Sequence, residues 1–299
     1  MQKLNAFCIL MMILGEAIDI LDELSLQRNK PYITEQGLYI KQPTLDDIIN
    51  LGYEQYQDYL YSIISNPKDV ADILWCKMKI WYEDITSDWA FFLQKCLSTN
   101  RKVNINIDGE IVEGIGIDEE QRQAFNFFLN KDCEYIIMDK KIQQDDESLD
   151  VFIIGVDFLD DNHEVCCINE NAFKISEAIY YEIVTFLKQA NWASFEYEFT
   201  KGGTKKAKKY ILEHDYKSRM KQKKPKVTLG SIVSSLIAKG QSYNDIWGFP
   251  IYMVYDLYYR YIKIDDWNNT MRALHSGCID TKKNPVNWEK INWSSIITK

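Results

Sequence analysis

The chain holds three histidines, His163, His214 and His275, and seven cysteines. A zinc site draws on closely spaced Cys and His pairs. Only Cys133, His163, Cys166 and Cys167 could gather such a set, and their spacing is not that of a zinc motif. The adjacent Cys166 and Cys167 read as strand or core filling. An odd cysteine count without a secretory framework points to reduced thiols in a cytoplasm. The clusters Asp145, Asp146, Glu147 and Asp157, Asp160, Asp161 could hold a divalent ion or move protons. As sequence they read as exposed loops. Gly203-Thr204-Lys205 lacks the rest of a phosphate-binding loop, and Gly109, Gly114 and Gly116 do not form the dinucleotide fingerprint. No Gly-x-Ser-x-Gly is present. The expectation is a non-enzyme with no cofactor and no metal. A hydrolase assembled from Asp157 and His163 has no motif behind it.

Two compositional features speak of binding instead. Nineteen tyrosines and eight tryptophans exceed what a core needs, because both carry polar atoms that want partners. They supply either an aromatic core with half-buried tyrosines or a protein-binding surface. The second feature is basic. Residues 201–226 carry eleven Lys and Arg against Glu213 and Asp215, in a chain of net charge −9. That balance argues against a dedicated nucleic-acid binder unless positive charge is concentrated, as it is here. Lys205, Lys206, Lys208 and Lys209 begin the run. It reads either as a solvated helix or linker, or as a docking site for an acidic partner or phosphate backbone.

The elements that must position these residues are mostly helices. Thr228 caps a helix through Ile232, Val233, Leu236 and Ile237, which Lys239-Gly240 stops. Pro250 opens a tyrosine-rich helix through Ile262, and Asp265 or Asp266 begins another through Leu274. Earlier, Thr44 caps a helix with Asp46 and Asp47 in its first turn. Helices over 53–65 and 69–80 follow, and a fourth starts at Asp84 or Thr86. Residues 102–107 alternate as a strand does, and Asp108-Gly109 marks a hairpin turn. A helix over 118–129, a strand over 134–138, and strands or buried segments at 151–156 and 164–168 complete a small α+β module. Asn169 or Asn171 caps a long helix through Ala190. The apolar run Ala6 to Leu14 resembles a signal-peptide core, but Gly15-Glu16 follows it and it is too short to span a bilayer. It reads as a buried segment, and no membrane partner is expected.

Two stretches carry a resemblance. YIKQPTLDDIINLGYEQY at 39–56 and GQSYNDIWGFPIYMVYDLYYRY at 240–261 resemble tail assembly chaperones and related minor tail proteins of phages infecting Gram-positive bacteria. The resemblance implies a non-enzymatic assembly factor, placed in the host cytoplasm, that shields the apolar face of a tail tube or tape-measure protein before polymerisation. The length, the middle module and the basic segment depart from that family. They leave open a structural component of the virion tail.

The expected fold is mainly α, a multi-helix body with a small α+β module in the middle. The expected division is 1–99, 100–168 and 169–299. The expected partner-binding residues are Trp247, Tyr252, Tyr255 and Tyr259, with Lys205, Lys206, Lys208 and Lys209. Their partners would be a tail tube or tape-measure protein, a second copy of the chain, or nucleic acid as the less favoured reading.

Overall fold

The computed structural model describes residues 23–35, 37–85, 87–98, 101–107, 110–130, 133–137, 164–167, 173–193, 203–221, 227–278 and 286–292. The apolar run at 6–14 lies outside the described residues. The chain is mainly α, with a small α+β module in the middle.

Helix α1 (Glu23–Gln27) leads into a short antiparallel pair, β1 (Tyr32–Ile33) and β2 (Tyr39–Ile40). Helix α2 (Leu45–Leu51) starts where its cap predicts. Thr44 Oγ1 accepts from the Asp47 amide, and the Asp47 carboxylate accepts from the Thr44 amide. Such a box satisfies two donors that the helix itself leaves open. Gly52, at φ 95°, ends α2 and opens α3 (Tyr53–Ile64).

The expected helix over 69–80 is different in form. A single turn, α4 (Ala71–Ile73), widens into a π-helical turn over Leu74–Met78. Lys79 then closes it in the left-handed region at φ 62°. The widened turn keeps Leu74 buried and lays Trp75 toward a later helix. Helix α5 (Asp88–Cys96) is capped by Ser87, not by Asp84, which belongs to a 3-10 turn over Tyr82–Asp84.

In the middle, β3 (Arg101–Ile107), β4 (Glu110–Gly116), β5 (Cys133–Ile137), β6 (Glu164–Cys167) and β7 (Phe173–Ile175) form one antiparallel sheet in chain order. Ile107 pairs with Glu110 at the end of the β3–β4 ladder. The expected turn residues between them, Asp108 and Gly109, lie outside the described residues. Helix α6 (Glu119–Leu129) sits between β4 and β5 and buries Ala124, Phe125, Phe128 and Leu129.

Helix α7 (Glu177–Ala190) begins later than its apolar repeat suggests. Phe173 and Ile175 belong to β7, where Ile175 pairs with Val165. The two residues alternate as well as they repeat, and Ser176, in extended backbone, is where the helix starts. The proposed caps Asn169 and Asn171 lie outside the described residues.

The C-terminal part contains α8 (Lys205–Lys221), α9 (Leu229–Ala238), α10 (Ile251–His275) and α11 (Trp288–Ile291). Thr228 caps α9 with Ser231 in a capping box, and Gly240 follows its end at φ 103°. The two expected helices after Pro250 are one continuous helix of 25 residues. No Gly or Pro interrupts it, and Asp265 binds the Lys239 ammonium at 2.7 Å instead of capping a new start. Gln241 also reaches Tyr261. The end of α9 therefore meets α10 near its middle, not at its first turn.

One apolar core joins these parts. Leu60, Phe125, Ile183 and Ile251 belong to the same buried cluster. Phe92 stacks on Tyr180 with ring centroids 4.6 Å apart and meets Phe125 edge-on at 5.6 Å. Such ring pairs add about 0.5–1.5 kcal/mol each beyond area burial. The backbone also joins the two stretches that carry the family resemblance. Leu45 N donates to Phe249 O, and Ile251 N to Pro43 O, each at 3.0 Å, around a bridge between Thr44 and Pro250.

Candidate partner-binding surface

Helix α7 ends on Asn191, and Trp192 follows in the left-handed region at φ 52°. Its amide donates to Gln189 O and that of Ala193 to Lys188 O, which is the Schellman pattern of a helix end. Glycine usually takes this position, because a side chain there strains the backbone. Here the turn carries an indole toward α10. Trp192 stacks on Tyr259 at 5.1 Å with 15° between the planes, and tilts against Tyr252 at 5.7 Å.

Around this stack the tyrosines gather from two helices. On α3, Tyr53 and Tyr61 are exposed by 40% and 44%. Tyr255 on α10 is hydrogen-bonded with Tyr53, and both Tyr259 and Tyr61 act on its hydroxyl. Burial pushes the Tyr255 phenol well above its ordinary value, and these neighbouring phenols push the same way. Tyr56, fully buried beneath them, donates to Asn191 Oδ1. Tyr252 lies in the core at 8% exposure, so it supports this surface from below. Tyr255 and Tyr259 are half-buried. Trp247, on a 3-10 turn over Ile246–Gly248, packs against the core and meets Tyr243 edge-on at 5.5 Å.

Residues 205–221 of the basic segment form helix α8, which packs on the protein, and 201–202 and 222–226 lie outside the described residues. Leu212 of α8 is fully buried in a second cluster with Ala71, Leu74, Trp81, Tyr82 and Phe91. Lys208 pairs with Glu83 at 2.7 Å. Lys209 sits 3.7 Å above the Trp75 ring centre, and Lys205 lies 5.1 Å from that of Trp81. Glu83 also accepts from the Tyr82 hydroxyl and the Trp81 indole. These bonds, led by that from Lys208, hold the Glu83 carboxyl down at about 2. Lys206 and Tyr210 face solvent on this helix.

An open groove of about 860 Å³ lies between β2, α3 and α6, with Tyr39, Tyr59, Phe127, Asn126 and Asn130 among its walls. Lys41 also lines it, and Asp47 meets its charge at 2.7 Å.

The other sequence candidates are placed only in part. Cys133 stands opposite Cys167 in the sheet, and Cys166 opposite Tyr135. His163 and both acidic clusters lie outside the described residues. Among the described residues no group of three His, Cys, Asp or Glu could hold a metal ion. No helix among them is long and apolar enough to cross a membrane. Reading the sequence missed Tyr53, Tyr61 and Trp192 as members of the aromatic surface, and Trp75, Trp81 and Glu83 as the seat of the lysines. No spacing marks these pairs, since Trp75 and Glu213 are 138 residues apart.

Comparison with curated proteins and with solved structures finds no match to this chain. Residues 221–298 do match a family model described as the YomV second domain. That family is phage-associated, from the Bacillus phage SPBc2 region, and the matched part holds α9, α10 and the second of the two resembling stretches.

Proposed function

We propose that the chain is a phage tail assembly factor that binds a tail structural protein through the aromatic surface of α3 and α10. The observation that carries this reading is the stack of Trp192 on Tyr259, flanked by the exposed Tyr53 and Tyr61. Tyrosine and tryptophan are enriched at the centres of protein interfaces, where rigid rings give contact area at low entropic cost. The backbone strain at Trp192 supports the same view, because strained residues cluster at functional positions. The phage association of the matched region agrees with a viral role. The client is a tail tube or tape-measure protein whose apolar face needs cover before it polymerises. Co-expression with each of these proteins, pull-down and mass spectrometry test the reading. Recovery of one of them in a stable complex supports it, and recovery of neither sinks it.

A second reading is a permanent component of the virion tail that uses the same surface. Mass spectrometry of purified particles separates it from a factor that leaves. Nucleic-acid binding is the third reading, favoured among the described residues by Lys206, Tyr210, Lys217 and Lys221, which face solvent on α8. Lys205, Lys208 and Lys209 are engaged with Trp81, Glu83 and Trp75, which weakens it. A gel-shift series in rising salt tests it.

A further inference from the structure

The core takes only the first turns of α10, whose buried residues are Ile251, Tyr252, Val254 and Asp256. The helix runs on through His275. Its second half carries Ile264, Trp267, Met271 and Leu274 at spacings of three, four and three. That is the a/d repeat of a helix packed along its length against another apolar segment. All four side chains are half-buried.

The chain's own C-terminal segment reaches this seam. Trp288 meets Trp267 edge-on with ring centroids 5.6 Å apart, and α11 packs on α10. Ile291, one turn on, is half-buried, while Trp288 stays 48% exposed beside its contact with Trp267. Helix α11 spans four residues, far below the roughly 12–15 at which an isolated helix becomes even marginal in water. Its form therefore depends on what it packs against. The family model that matches 221–298 also takes α9, α10 and this segment as one unit.

A second copy of α10 fits the seam less well. Coiled-coil partners are chosen by opposite charges beside the seam. Here those places hold Tyr261, Lys263, Asn268, Thr270 and His275, with no acid among them. Arg260 falls on the repeat itself and is bound to Asp256 at 2.8 Å.

We propose that residues 286–292 form a strap seated on the Ile264–Leu274 seam, which keeps a helix-docking surface of α10 closed within the chain. The strap uses Trp288 and Ile291 as its anchors. This inference does not rest on the tyrosine surface or on the identity of any client.

Hydrogen exchange on the full chain tests it, against a chain shortened after residue 285 and a full-length Trp288→Ser/Ile291→Ser variant. In both variants, exchange over 262–275 should rise at least tenfold, while exchange over 45–64 stays as in the unaltered chain. If the shortened chain does not fold, the full-length double variant decides alone, since it changes two side chains that are not in the core. Unchanged exchange over 262–275 would overturn the proposal. So would a dimer of the unaltered chain, seen by light scattering, that Trp267→Ser abolishes, because a second copy would then occupy the seam.

Discussion

The indole of Trp192 lies nearly parallel to the phenol of Tyr259, 15° apart in plane and 5.1 Å apart in centre. The two residues are 67 positions apart in sequence, and the contact fixes the end of α7 against α10. Trp192 adopts left-handed backbone to make it. That conformation costs on the order of 1–3 kcal/mol in a residue with a side chain. A ring pair returns about 0.5–1.5 kcal/mol beyond its buried area. The balance is close, so the ring's contacts with Tyr259 and Tyr252 offset much of the cost of the turn.

Trp192→Gly and Trp192→Ala separate these effects. Glycine accepts φ near 52° and alanine does not. Both lose the stack, so Trp192→Gly should be more stable than Trp192→Ala by about 1 kcal/mol in urea unfolding. Both should lose partner binding equally. Equal stability would show that the left-handed turn carries no strain.

The capping box of α2 gives a second prediction. Thr44→Ala removes the acceptor for the Asp47 amide and one donor to the Asp47 carboxylate, which Lys41 also binds. The expected loss is about 1 kcal/mol, measured by urea or thermal unfolding. Backbone bonds around Thr44 and Pro250 remain, so the fold should persist.

Helix α8 should be held by its apolar anchor rather than by its charges. Leu212 is fully buried among Leu74, Trp81 and Phe91, so Leu212→Ala should cost about 2–4 kcal/mol. Lys208→Ala should lower the unfolding midpoint at pH 7 only slightly, because the Glu83 end of the pair is half open to water. Its signature is in acid. The folded Glu83 carboxyl is held at about 2 against an ordinary 4.5. Its contribution is present above pH 4.5 and is lost as pH falls toward 2. Lys208→Ala should shrink that loss in an acid titration of stability.

Lys95 titrates in the opposite part of the scale. Its ammonium donates to Ser62 O at 2.5 Å and to Ser65 Oγ at 3.1 Å, at the end of α3. Burial pushes it from 10.5 down to about 8. Between these values the unfolded chain keeps a proton that the folded chain has released, so stability rises with pH. As pH falls through 8 that gain is lost. Lys95→Met should flatten the rise between pH 8 and 10, read from urea unfolding at several pH values. A slope unchanged by the substitution would remove Lys95 from the account.

Local signals in the sequence located many of these elements. Thr44 with Asp47 and Thr228 with Ser231 mark helix starts because a cap needs only neighbours in the chain. The alternation before Asp108-Gly109 marks β3 for the same reason. The start of α7 was less legible, since Phe173 and Ile175 satisfy a strand repeat as well as a helical one, and only pairing with β6 decides. The join of 251–262 to 265–274 was hidden because Asp265 looks like a cap until Lys239 claims it. The site was half legible. Tyr255 and Tyr259 announce themselves by composition, but Tyr53, Tyr61 and Trp192 join them only through tertiary packing. The lysines of α8 read as a free charge run, because nothing local marks Trp75, Trp81 and Glu83 as their seat.

The most direct test of the aromatic surface is the affinity of the purified chain for tail tube and tape-measure proteins, compared with that of Tyr61→Ala/Tyr259→Ala. Both side chains are partly exposed, so the double variant should stay folded. The account predicts measurable binding of one of these proteins by the unaltered chain. It also predicts at least about a tenfold weakening in the variant, as loss of an interface anchor gives. Equal affinity for both chains, with the variant folded, would contradict it.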